Sequence, residues 1–524
     1  MKRILVVALF LALAPAAPRG QLASRERMRA DLEFLCSPAV EGRASLSPGA
    51  ESAARYLAEA MRTIGLQPAA EHGFLQRFDV VPLRTDRERS SIEVMHNGAG
   101  QTFPPGTVFF PRPALPIDLT LDVVFAGYGI TAPELGYDDY AGLEVRGKAV
   151  LVFDHEPGED DADSIFHGTG FTLHANTWTK TQNAERHGAA AVLIVTEPSN
   201  AHRSAVRPPA RASAPAQALA RSELGIPRFT VSQAVAGALL QPTGRKPVEW
   251  QSRIDRTSSP ASQVLEGVRV RLRAANQESA ARPSWNVAGL WPGSDPKLRD
   301  ETILVTSHYD HLGVQNGKLY PGANDNASGV AAMLEVARLV AARALPRSVL
   351  FVAFGSEEQL MLGSYHYVAN PLRPLASTIA VLNLDMIGRH EEHTAESRGA
   401  YELTAGRADQ LNLVGAVFSP DLEALLAREA PSAGLALSTK FDRDSSMRAL
   451  FRCDHLPFLQ KRIPAVWLFG GFHPGYHEPA DTIDRLDFAK LGRVVGLTVG
   501  AVRALAAPGA APRFGNASPG NVDR

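Results

Sequence analysis

The chain has 524 residues, of which 45% are hydrophobic and 21% are charged, a composition close to that of average soluble proteins. This composition argues against a disordered chain and against a polytopic membrane protein. Lys and Arg total 54 while Asp and Glu total 55, so the formal charge of -1 gives no long-range attraction for nucleic acid or anionic lipid. A chain of this length exceeds what one hydrophobic core usually supports, which predicts two domains or one domain interrupted by another.

Residues 1–20 have the pattern of a signal peptide. Lys2 and Arg3 precede an apolar run from Ile4 to Ala14, and the small residues at 14–16 resemble a cleavage site. The run is shorter than the ~20 apolar residues that span a bilayer, which disfavours an uncleaved anchor. No cysteine follows the cleavage region to carry a lipid. We therefore expect a secreted or periplasmic protein.

The next residues predict the first part of a core domain, at 21–117. Apolar side chains fall on one helical face at 24–36 and again at 53–64, before Gly65. From about Asp118, short apolar runs at 123–125, 149–153 and 190–195 are divided by Gly, Pro and Asp clusters. These runs predict a smaller β-rich unit at 118–258 with an exposed loop at 202–221.

Strands and helices alternate beyond residue 286. Apolar runs at 303–307, 349–354, 379–384 and 466–469 predict strands, and 329–343 predicts a helix. Several of these strands lack polar alternation, as expected where helices cover both faces. We predict an α/β/α sandwich with a mixed, largely parallel sheet, whose metal-site part occupies 259–506 after the β-rich interruption. The residues at 507–524, rich in Ala, Pro, Gly and Asn, predict a disordered tail.

Polar residues follow the carboxyl ends of the predicted strands. They are His308 and Asp310, Glu357 and Glu358, Asp385, and His477 in a loop after the last strand. Asp325 joins them from a glycine-bounded turn before a helix, where Ser328 or Asn326 is placed to cap that helix. In open α/β sheets the ligand crevice lies outside the carboxyl ends of the strands, so we expect these segments to converge.

The converging side chains form a ligand set for metal ions. Two histidines and three carboxylates suit zinc, with cobalt or manganese as alternatives. The set is too large for one tetrahedral zinc with an open position. Two zinc ions per chain are accommodated if Asp325 is shared, His308 and Asp385 bind one ion, and Glu358 and His477 bind the other, leaving room for a bridging water.

Two further carboxylates have predicted catalytic roles. The carboxylate of Asp310 is placed to accept the second imidazole N–H of His308 and so orient that ring. Glu357, adjacent to the ligand Glu358, is predicted to be the general base that takes a proton from the attacking water and delivers it to the leaving amine. Each element alone is a weak signal, and the prediction depends on their conjunction.

Five motifs carry a family resemblance: Ser307 to His311 (SHYDH), and PGANDNASG, FGSEE, NLDMIG and YHEPADT beginning at Pro321, Phe354, Asn383 and Tyr476. They resemble the co-catalytic di-zinc aminopeptidases of metallopeptidase family twenty-eight, the aminopeptidase Y and S type, over about 280–505 and more weakly at 32–43. The resemblance implies the same five zinc ligands, the same base and a cis peptide between Asp325 and Asn326. Relatives often have Asp where this chain has Asn324, which precedes the ligand.

The β-rich unit resembles a protease-associated domain. The similarity lies in FAGYGITAPELGYDDYAGLEVRGKAVLV from Phe125 and AERHGAAAVLIV from Ala184. Such domains are thought to shape access to the cleft, so a substrate lid and a passive insert are both open interpretations. His167, His174 and His187 lie in this unit and are interpreted as loop or surface residues. Cys36 and Cys453, the two cysteines, are interpreted as unpaired thiols.

The leading function is removal of N-terminal amino acids from peptides. A carboxypeptidase or dipeptidase is the alternative on the same fold, with Arg389 or Arg452 as the fork for a terminal carboxylate. The resemblance associates glutaminyl cyclisation with a single zinc, which disfavours it here. A non-catalytic binding or receptor relative is disfavoured because the ligands and base are all present. The expected partners are peptide substrates, without nucleic acid or stable membrane association, and no oligomeric state is predicted.

Overall fold

The structure is a computed structural model that describes residues 23–105, 109–111 (backbone only), 116–199, 216–277, 280–394, 397, 401–403 and 408–515. The predicted signal peptide and most of the predicted loop at 202–221 lie outside these residues. None of the described helices has the length and apolar character needed to cross a membrane.

Ten α-helices are present among the described residues: Arg25–Leu35, Pro48–Ile64, Thr177–Arg186, Gln233–Leu240, Pro247–Thr257, Gly329–Ala341, Leu362–Ala369, Pro420–Ala433, Leu456–Gln460 and Phe488–Ala506. Their ends follow local chemistry. The Ser47 hydroxyl accepts a hydrogen bond from Ala50 N at the start of the second helix, which ends at Gly65 with φ 91°. The predicted helices at 24–36, 53–64 and 329–343 agree in position with three of these.

A ten-stranded mixed sheet forms the larger unit. In spatial order its strands are Ala216–Leu219, Leu75–Leu83, Arg282–Trp291, Ser348–Phe354, Thr302–His308, Thr378–Asp385, Ala465–Phe469, Gln410–Val414 and Ala436–Ser438, and Gln67–Pro68 pairs with Arg282–Trp291. The four strands from Ser348–Phe354 to Ala465–Phe469 are parallel neighbours. Antiparallel pairs flank them, so the sheet has a parallel centre and mixed edges.

Both faces of this sheet are covered. Ile303 and Val305 point into one core with the helices Pro48–Ile64, Gly329–Ala341 and Phe488–Ala506. Leu304 points into the opposite core, with residues of Leu362–Ala369 and Leu456–Gln460. Complete burial on both faces explains why the central strands have no polar alternation. The predicted α/β/α sandwich is confirmed.

A second sheet of eight strands forms the inserted unit. Its spatial order is Ala99–Phe103, Ser91–His96, Gln263–Ala274, Ile117–Phe125, Ala149–Phe153, Ala191–Val195, Arg228–Val231 and Phe109–Pro111. The predicted boundaries of 118 and 258 are therefore too narrow, because strands outside them belong to this sheet. The long strand Gln263–Ala274 pairs with both Ser91–His96 and Ile117–Phe125, a long-range pairing that local patterns do not reveal.

Residues within the predicted insert contribute to the sheet and the core of the larger unit. The strand Ala216–Leu219 lies inside the predicted insert, yet it pairs with Leu75–Leu83 at the edge of the larger sheet. Phe171 and Ala175 of the insert are buried in the second core of the larger unit. The insert thus contacts the larger unit at several points.

The described part of the predicted disordered tail is packed against the larger unit. Gly515 N donates a hydrogen bond to Phe418 O at 2.8 Å, and the Phe514 and Phe418 rings stack 5.9 Å apart. Prediction of disorder from composition overlooked these contacts at 507–515. Residues 516–524 lie outside the described part of the chain.

Candidate metal centre and active site

Adjacent parallel strands bring the first two predicted ligands together. His308 is the last residue of Thr302–His308, and Asp385 is the last residue of Thr378–Asp385. The register pairs Thr306 with Asn383, so both ligands lie two residues further on at the same level. His308 Nε2 lies 3.4 Å from Asp385 Oδ1. The parallel sheet thus creates this half of the site directly.

Asp325 lies between two groups of donor atoms. Its Oδ1 is 3.4 Å from His308 Nε2, and its Oδ2 is 2.9 Å from His477 Nε2. His477 Nε2 is in turn 3.3 Å from Glu358 Oε1. All five predicted ligands therefore converge, with the two carboxylate oxygens of Asp325 facing different partners. The peptide bond between Asp325 and Asn326 is cis, as the resemblance implied.

Side chains from distant segments support the turn that carries Asp325. The Asp481 carboxylate accepts hydrogen bonds from Asn324 N and Asp325 N at 2.9–3.0 Å. Asn326 Oδ1 accepts from Gly329 N at 3.0 Å, which identifies Asn326, rather than Ser328, as the helix cap. Sequence reasoning gave Asp481 no role, although it lies in the YHEPADT motif only four residues after His477.

Arg43 is fully buried beneath the same turn. Its guanidinium donates to the carbonyl oxygens of Tyr309 at 2.7 Å, Pro321 at 2.9 Å and Gly322 at 3.0 Å, and also to Leu35 O. Five guanidinium donors in a fixed fork suit several carbonyls at once. The weak similarity at 32–43 therefore includes a residue that supports the turn before Asp325.

Glu357 and Glu358 leave the strand Ser348–Phe354 through a tight turn, with Ser356 at φ 60°. Their carboxylates diverge. Glu358 Oε1 faces His477, whereas Glu357 Oε2 lies 3.9 Å from His308 Nε2, at the edge of the donor cluster. The predicted division into one ligand and one neighbouring base is compatible with these positions.

The role predicted for the Asp310 carboxylate is wrong in one respect. The atom within hydrogen-bonding distance of His308 Nδ1 is the backbone carbonyl of Asp310, at 3.2 Å, while the carboxylate Oδ1 is 3.8 Å away. The carboxylate instead accepts from Glu357 N at 2.9 Å and Glu358 N at 3.3 Å. Residue spacing cannot distinguish a side-chain acceptor from a carbonyl, because both follow His308 by two residues. The Asp310 carboxylate therefore holds the backbone of Glu357 and Glu358 in place.

Two buried residues that touch the ligands had no role in the sequence-based prediction. His311 Nδ1 lies 2.9 Å from Glu358 Oε1, although His311 appears in the SHYDH motif. Cys453 Sγ donates to Asp385 Oδ2 at 2.9 Å and accepts from Asn383 Nδ2 at 2.9 Å. Cys453 and Cys36 are both free thiols, which confirms that they do not pair.

The donor cluster and the sheet that carries it agree with the comparisons to known proteins. A model described as peptidase family M28 matches residues 286–502. The uncharacterized protein YfbL of Escherichia coli K12 is 30% identical over 261 residues, covering 46% of this chain and 77% of that protein. The chain belongs to peptidase family M28. The predicted membership of metallopeptidase family twenty-eight is confirmed.

Other M28-like relatives match over a smaller share of their length. Aminopeptidase YwaD of Bacillus subtilis is 30% identical over 228 residues, 42% of this chain and 44% of that protein. Leucine aminopeptidase 2 of Trichophyton rubrum is 28% identical over 229 residues, 39% of this chain and 41% of that protein. The chain thus spans less than half of both. A solved aminopeptidase from Aneurinibacillus sp. strain AM-1 covers 96% of this chain and 97% of its own, at 20% identity and a TM-score of 0.45.

The donor atoms in this M28 chain fit metal ions on chemical grounds. Asp385 Oδ1 is buried and has no hydrogen-bond partner within the described residues, yet it faces His308 Nε2. A buried carboxylate oxygen without a donor is costly unless a cation compensates its charge. Two three-residue groups, His308 with Asp325 and Asp385, and His311 with Asp325 and Glu358, hold their donor atoms within 4.8 Å of one another.

The carboxylates of the site differ in their electrostatics. Burial raises the pKa of Glu357 well above its usual value, and the charge of Asp454 raises it further, while His308 opposes both. Burial also disfavours the charged form of Asp325, but its contacts with His308 and His477 hold its pKa well below the usual range. Asp325 therefore stays ionised, and Glu357, the predicted base, has the greater affinity for a proton.

A cavity of about 590 Å³ opens over the donor atoms. Much of its wall is apolar, from Met361, Met386, Phe451, Trp467 and Phe472. The edge strand Ala216–Leu219 of the larger sheet also reaches it, because Ala216 and Gln217 line the cavity and the Ser45 hydroxyl donates to Gln217 Oε1 at 2.8 Å.

Residues whose roles the sequence left open are now placed relative to this cavity. Arg452 and Tyr476 line it, whereas Arg389 does not and lies 3.7 Å from Glu392. Asp454 and His455 are completely buried behind the wall, where Asp454 accepts from the Ser364 hydroxyl. Tyr365 stacks on Trp178 of the insert.

Within the described residues, the insert histidines His167, His174 and His187 belong to no group of potential metal ligands. His174 pairs with Glu134 at 2.9 Å, and His187 stacks on Tyr140. His167 lies in a turn, in agreement with the loop interpretation, although its side chain is buried with 7% exposed.

Proposed function

We propose that this M28 protein is an exported exopeptidase that binds two zinc ions and removes N-terminal amino acids from peptides. The observation that supports two ions is the position of Asp325 between two donor pairs, with Oδ1 toward His308 and Asp385 and Oδ2 toward His477 and Glu358. Sharing one carboxylate gives each ion three protein ligands.

The choice of zinc and of aminopeptidase activity also draws on the relatives. Two of them are named aminopeptidases, and a protein of Leptosphaeria maculans that is 28% identical over 221 residues is named a probable zinc metalloprotease. Imidazole and carboxylate donors are the ligand types that zinc takes in hydrolases. We extend these names to this chain as a proposal.

Zinc ions held by these five residues would supply Lewis-acid polarisation of the scissile carbonyl and stabilise the negative charge that develops on its oxygen. Glu357 accepts a proton from the attacking water and then delivers it to the leaving amine. The Asp310 carboxylate holds the backbone N–H groups of Glu357 and Glu358, which fixes the base relative to the ligands. His308 keeps one orientation through its contact with the Asp310 carbonyl.

The cavity supports a peptide substrate with an apolar first side chain. Met386, Trp467 and Phe472 offer a hydrophobic surface beside the donor atoms. We propose that the inserted unit is a protease-associated domain, and its Phe171 ring stacks 5.1 Å from Phe451, which lines the cavity. Because this contact lies at the cavity wall, we favour a role in shaping access to the site over a passive role.

A carboxypeptidase is the second candidate, because Arg452 lines the cavity and a guanidinium is suited to a terminal carboxylate. The other candidate arginine, Arg389, does not line the cavity. Arg452 also packs over the Phe472 ring, with its guanidinium carbon 5.3 Å from the ring centroid.

The test is hydrolysis of a panel of aminoacyl anilides and of the same compounds with an N-acetyl group. The mature protein is assayed before chelation, after chelation and after return of Zn²⁺, with Glu357→Ala as the inactive control. Turnover that requires a free amine, zinc and Glu357 supports the aminopeptidase. If instead N-blocked peptides with a free carboxyl terminus are cleaved and Arg452→Ala abolishes that cleavage, the protein is a carboxypeptidase.

A further inference from the structure

A second group of potential metal ligands lies in the inserted unit, away from the active site. His155 Nδ1 is 2.7 Å from Glu197 Oε1 and 3.3 Å from Glu159 Oε2. His155, Glu197 and Glu159 are only 2%, 1% and 8% exposed, respectively. Comparable N···O distances of 2.9–3.4 Å occur among the ligands of the active site. The arrangement therefore has the donor types, spacing and burial of a metal site.

The fold creates this group in the same way as the active site. The strands Ala149–Phe153 and Ala191–Val195 are parallel neighbours, and their register pairs Phe153 with Val195. His155 and Glu197 each lie two residues beyond that pair. Glu159 returns to the group four residues after His155. Two adjacent carboxyl ends of a parallel sheet thus present an imidazole and a carboxylate at the same level, as His308 and Asp385 do.

The surroundings are richer in carboxylates than in cations. Asp154 and Glu156 flank His155 in the chain; Glu156 is buried, and Asp154 and the nearby Asp255 are half-buried. The basic groups that act on this region are Lys180, whose Nζ donates to Tyr128 O, Arg448 of the larger unit and His155 itself. A divalent cation would add positive charge beside these carboxylates.

Some of these carboxylates have other partners. The Glu156 oxygens accept from Thr172 N at 2.9 Å and from the Thr172 hydroxyl, and Asp255 Oδ1 accepts from Tyr128 at 2.7 Å. Glu159 and Glu197 line a cavity of about 550 Å³ together with Asp255 and Tyr128. Glu159 and Glu197 are the carboxylates within 3.3 Å of His155 Nδ1, and the cavity that they line gives a cation and its water a path to them.

We propose that His155, Glu159 and Glu197 form a third metal site, for a divalent transition-metal cation of the zinc type, with a water molecule as the fourth ligand. One imidazole and two carboxylates favour Zn²⁺ over the all-oxygen sites of Ca²⁺ or Mg²⁺. The site is made of insert residues alone, so it does not depend on the proposed peptidase activity.

The cation would hold the segment that docks the insert on the larger unit. From Glu159 the chain continues to Thr169, whose hydroxyl donates to Arg443 O at 2.9 Å, and to Phe171, whose ring stacks 5.1 Å from Phe451. Phe451 lines the active-site cavity. The third site is therefore a structural one that fixes the docking segment beside the cavity wall.

The test is the zinc content of the untagged mature protein, measured by mass spectrometry after stripping with chelator, reloading with Zn²⁺ and removal of free metal. We expect three equivalents per chain in the wild type and two in Glu197→Gln or Glu159→Gln. Glu134→Gln is the matched control, because Glu134 contacts His174 elsewhere in the insert. It keeps three equivalents.

A second variant keeps the proposal testable if Glu197→Gln does not fold. Asp325→Asn leaves the insert intact, and we expect it to retain one tightly bound equivalent, with one nitrogen and three oxygen neighbours by zinc X-ray absorption. Either of two results would overturn the third site. One is an Asp325→Asn protein that binds no zinc; the other is a wild type that binds two equivalents, with no change in Glu197→Gln. If the proposed active site binds no zinc but the third site does, the result is different. The wild type then holds one equivalent of zinc, Asp325→Asn keeps it and Glu197→Gln loses it.

Discussion

The proposed active site and the His155 group of the insert are built by the same geometric rule, yet they differ in what surrounds them. In each, a histidine and a carboxylate lie at one level beyond paired parallel strands. The active site adds a second donor pair through Asp325, a neighbouring carboxylate at Glu357 and a cavity with an apolar wall. The insert group has only three donors, beside a cavity with many carboxylates. The comparison teaches that sheet topology produces metal-ligand geometry readily, while catalysis requires a base and room for a substrate.

The largest effect on kcat is expected from replacement of Glu357, the proposed base in the larger unit. Glu357→Gln should lower kcat by about 10²–10⁴-fold, because the amide cannot take the proton from water, while zinc content stays unchanged. The measurement is steady-state kinetics on an aminoacyl anilide together with zinc analysis. Glu134→Gln in the insert is the control. More than a tenth of wild-type kcat in Glu357→Gln would contradict the assignment of the base.

A smaller effect is expected at the thiol that supports Asp385. Cys453→Ala removes the donor to Asp385 Oδ2 and the acceptor for Asn383 Nδ2, so zinc affinity or kcat should fall about 10–100-fold. Cys453→Ser keeps both hydrogen bonds and should remain within a few-fold of wild type. Zinc affinity is measured by chelator competition and kcat separately from KM. If the alanine and serine variants have the same zinc affinity and kcat, the hydrogen bonds of Cys453 do not matter and the residue only fills space.

The His155 group should affect catalysis less than Cys453 does. Glu197→Gln disturbs the segment that docks against Phe451, but it touches no ligand of the active site. We expect kcat/KM to change by less than about tenfold and the midpoint of thermal unfolding to fall, since a bound cation stabilises the state that binds it. Calorimetry with and without added Zn²⁺ measures this. A loss of kcat as large as that of Glu357→Gln would show that the two regions are not functionally separate.

The smallest effect is expected at an aromatic contact between the units. The rings of Trp178 and Tyr365 stack 4.3 Å apart. Trp178→Ala should lower the free energy of unfolding by roughly 1–2 kcal/mol, since an aromatic pair contributes about 0.5–1.5 kcal/mol beyond its buried area. Trp178→Phe retains a ring and should lose less. Urea unfolding followed by circular dichroism compares them, and equal losses would assign the effect to something other than stacking.

Much of the larger unit was predictable because its strands are continuous apolar runs that end in polar residues. His308 and Asp385 could be placed together from that pattern alone. The same rule applies to His155 and Glu197, which follow the strands Ala149–Phe153 and Ala191–Val195. Sequence reasoning missed them because the metal-ligand motifs lie in the larger unit. Both residues also fall just beyond the two segments that resemble a protease-associated domain.

Other features were beyond the reach of sequence patterns. The choice between the carbonyl and the carboxylate of Asp310 depends on side-chain rotamers and on the turn at Ser356. The limits of the insert depend on Gln263–Ala274 pairing with strands more than a hundred residues earlier in the chain. Cys453 approaches Asp385 across 68 positions of sequence, and nothing near either residue signals that contact.

Arg43 has a practical consequence for anyone who produces a shortened version of this protein. The family match begins at residue 286, which invites a fragment that starts there. Such a fragment would lack the guanidinium that ties Pro321 and Gly322 to Tyr309, and also the strand Leu75–Leu83 that pairs with Arg282–Trp291. The turn before Asp325 would lose its support from below. The shortest useful fragment therefore begins ahead of the first helix, at Ser24 or earlier.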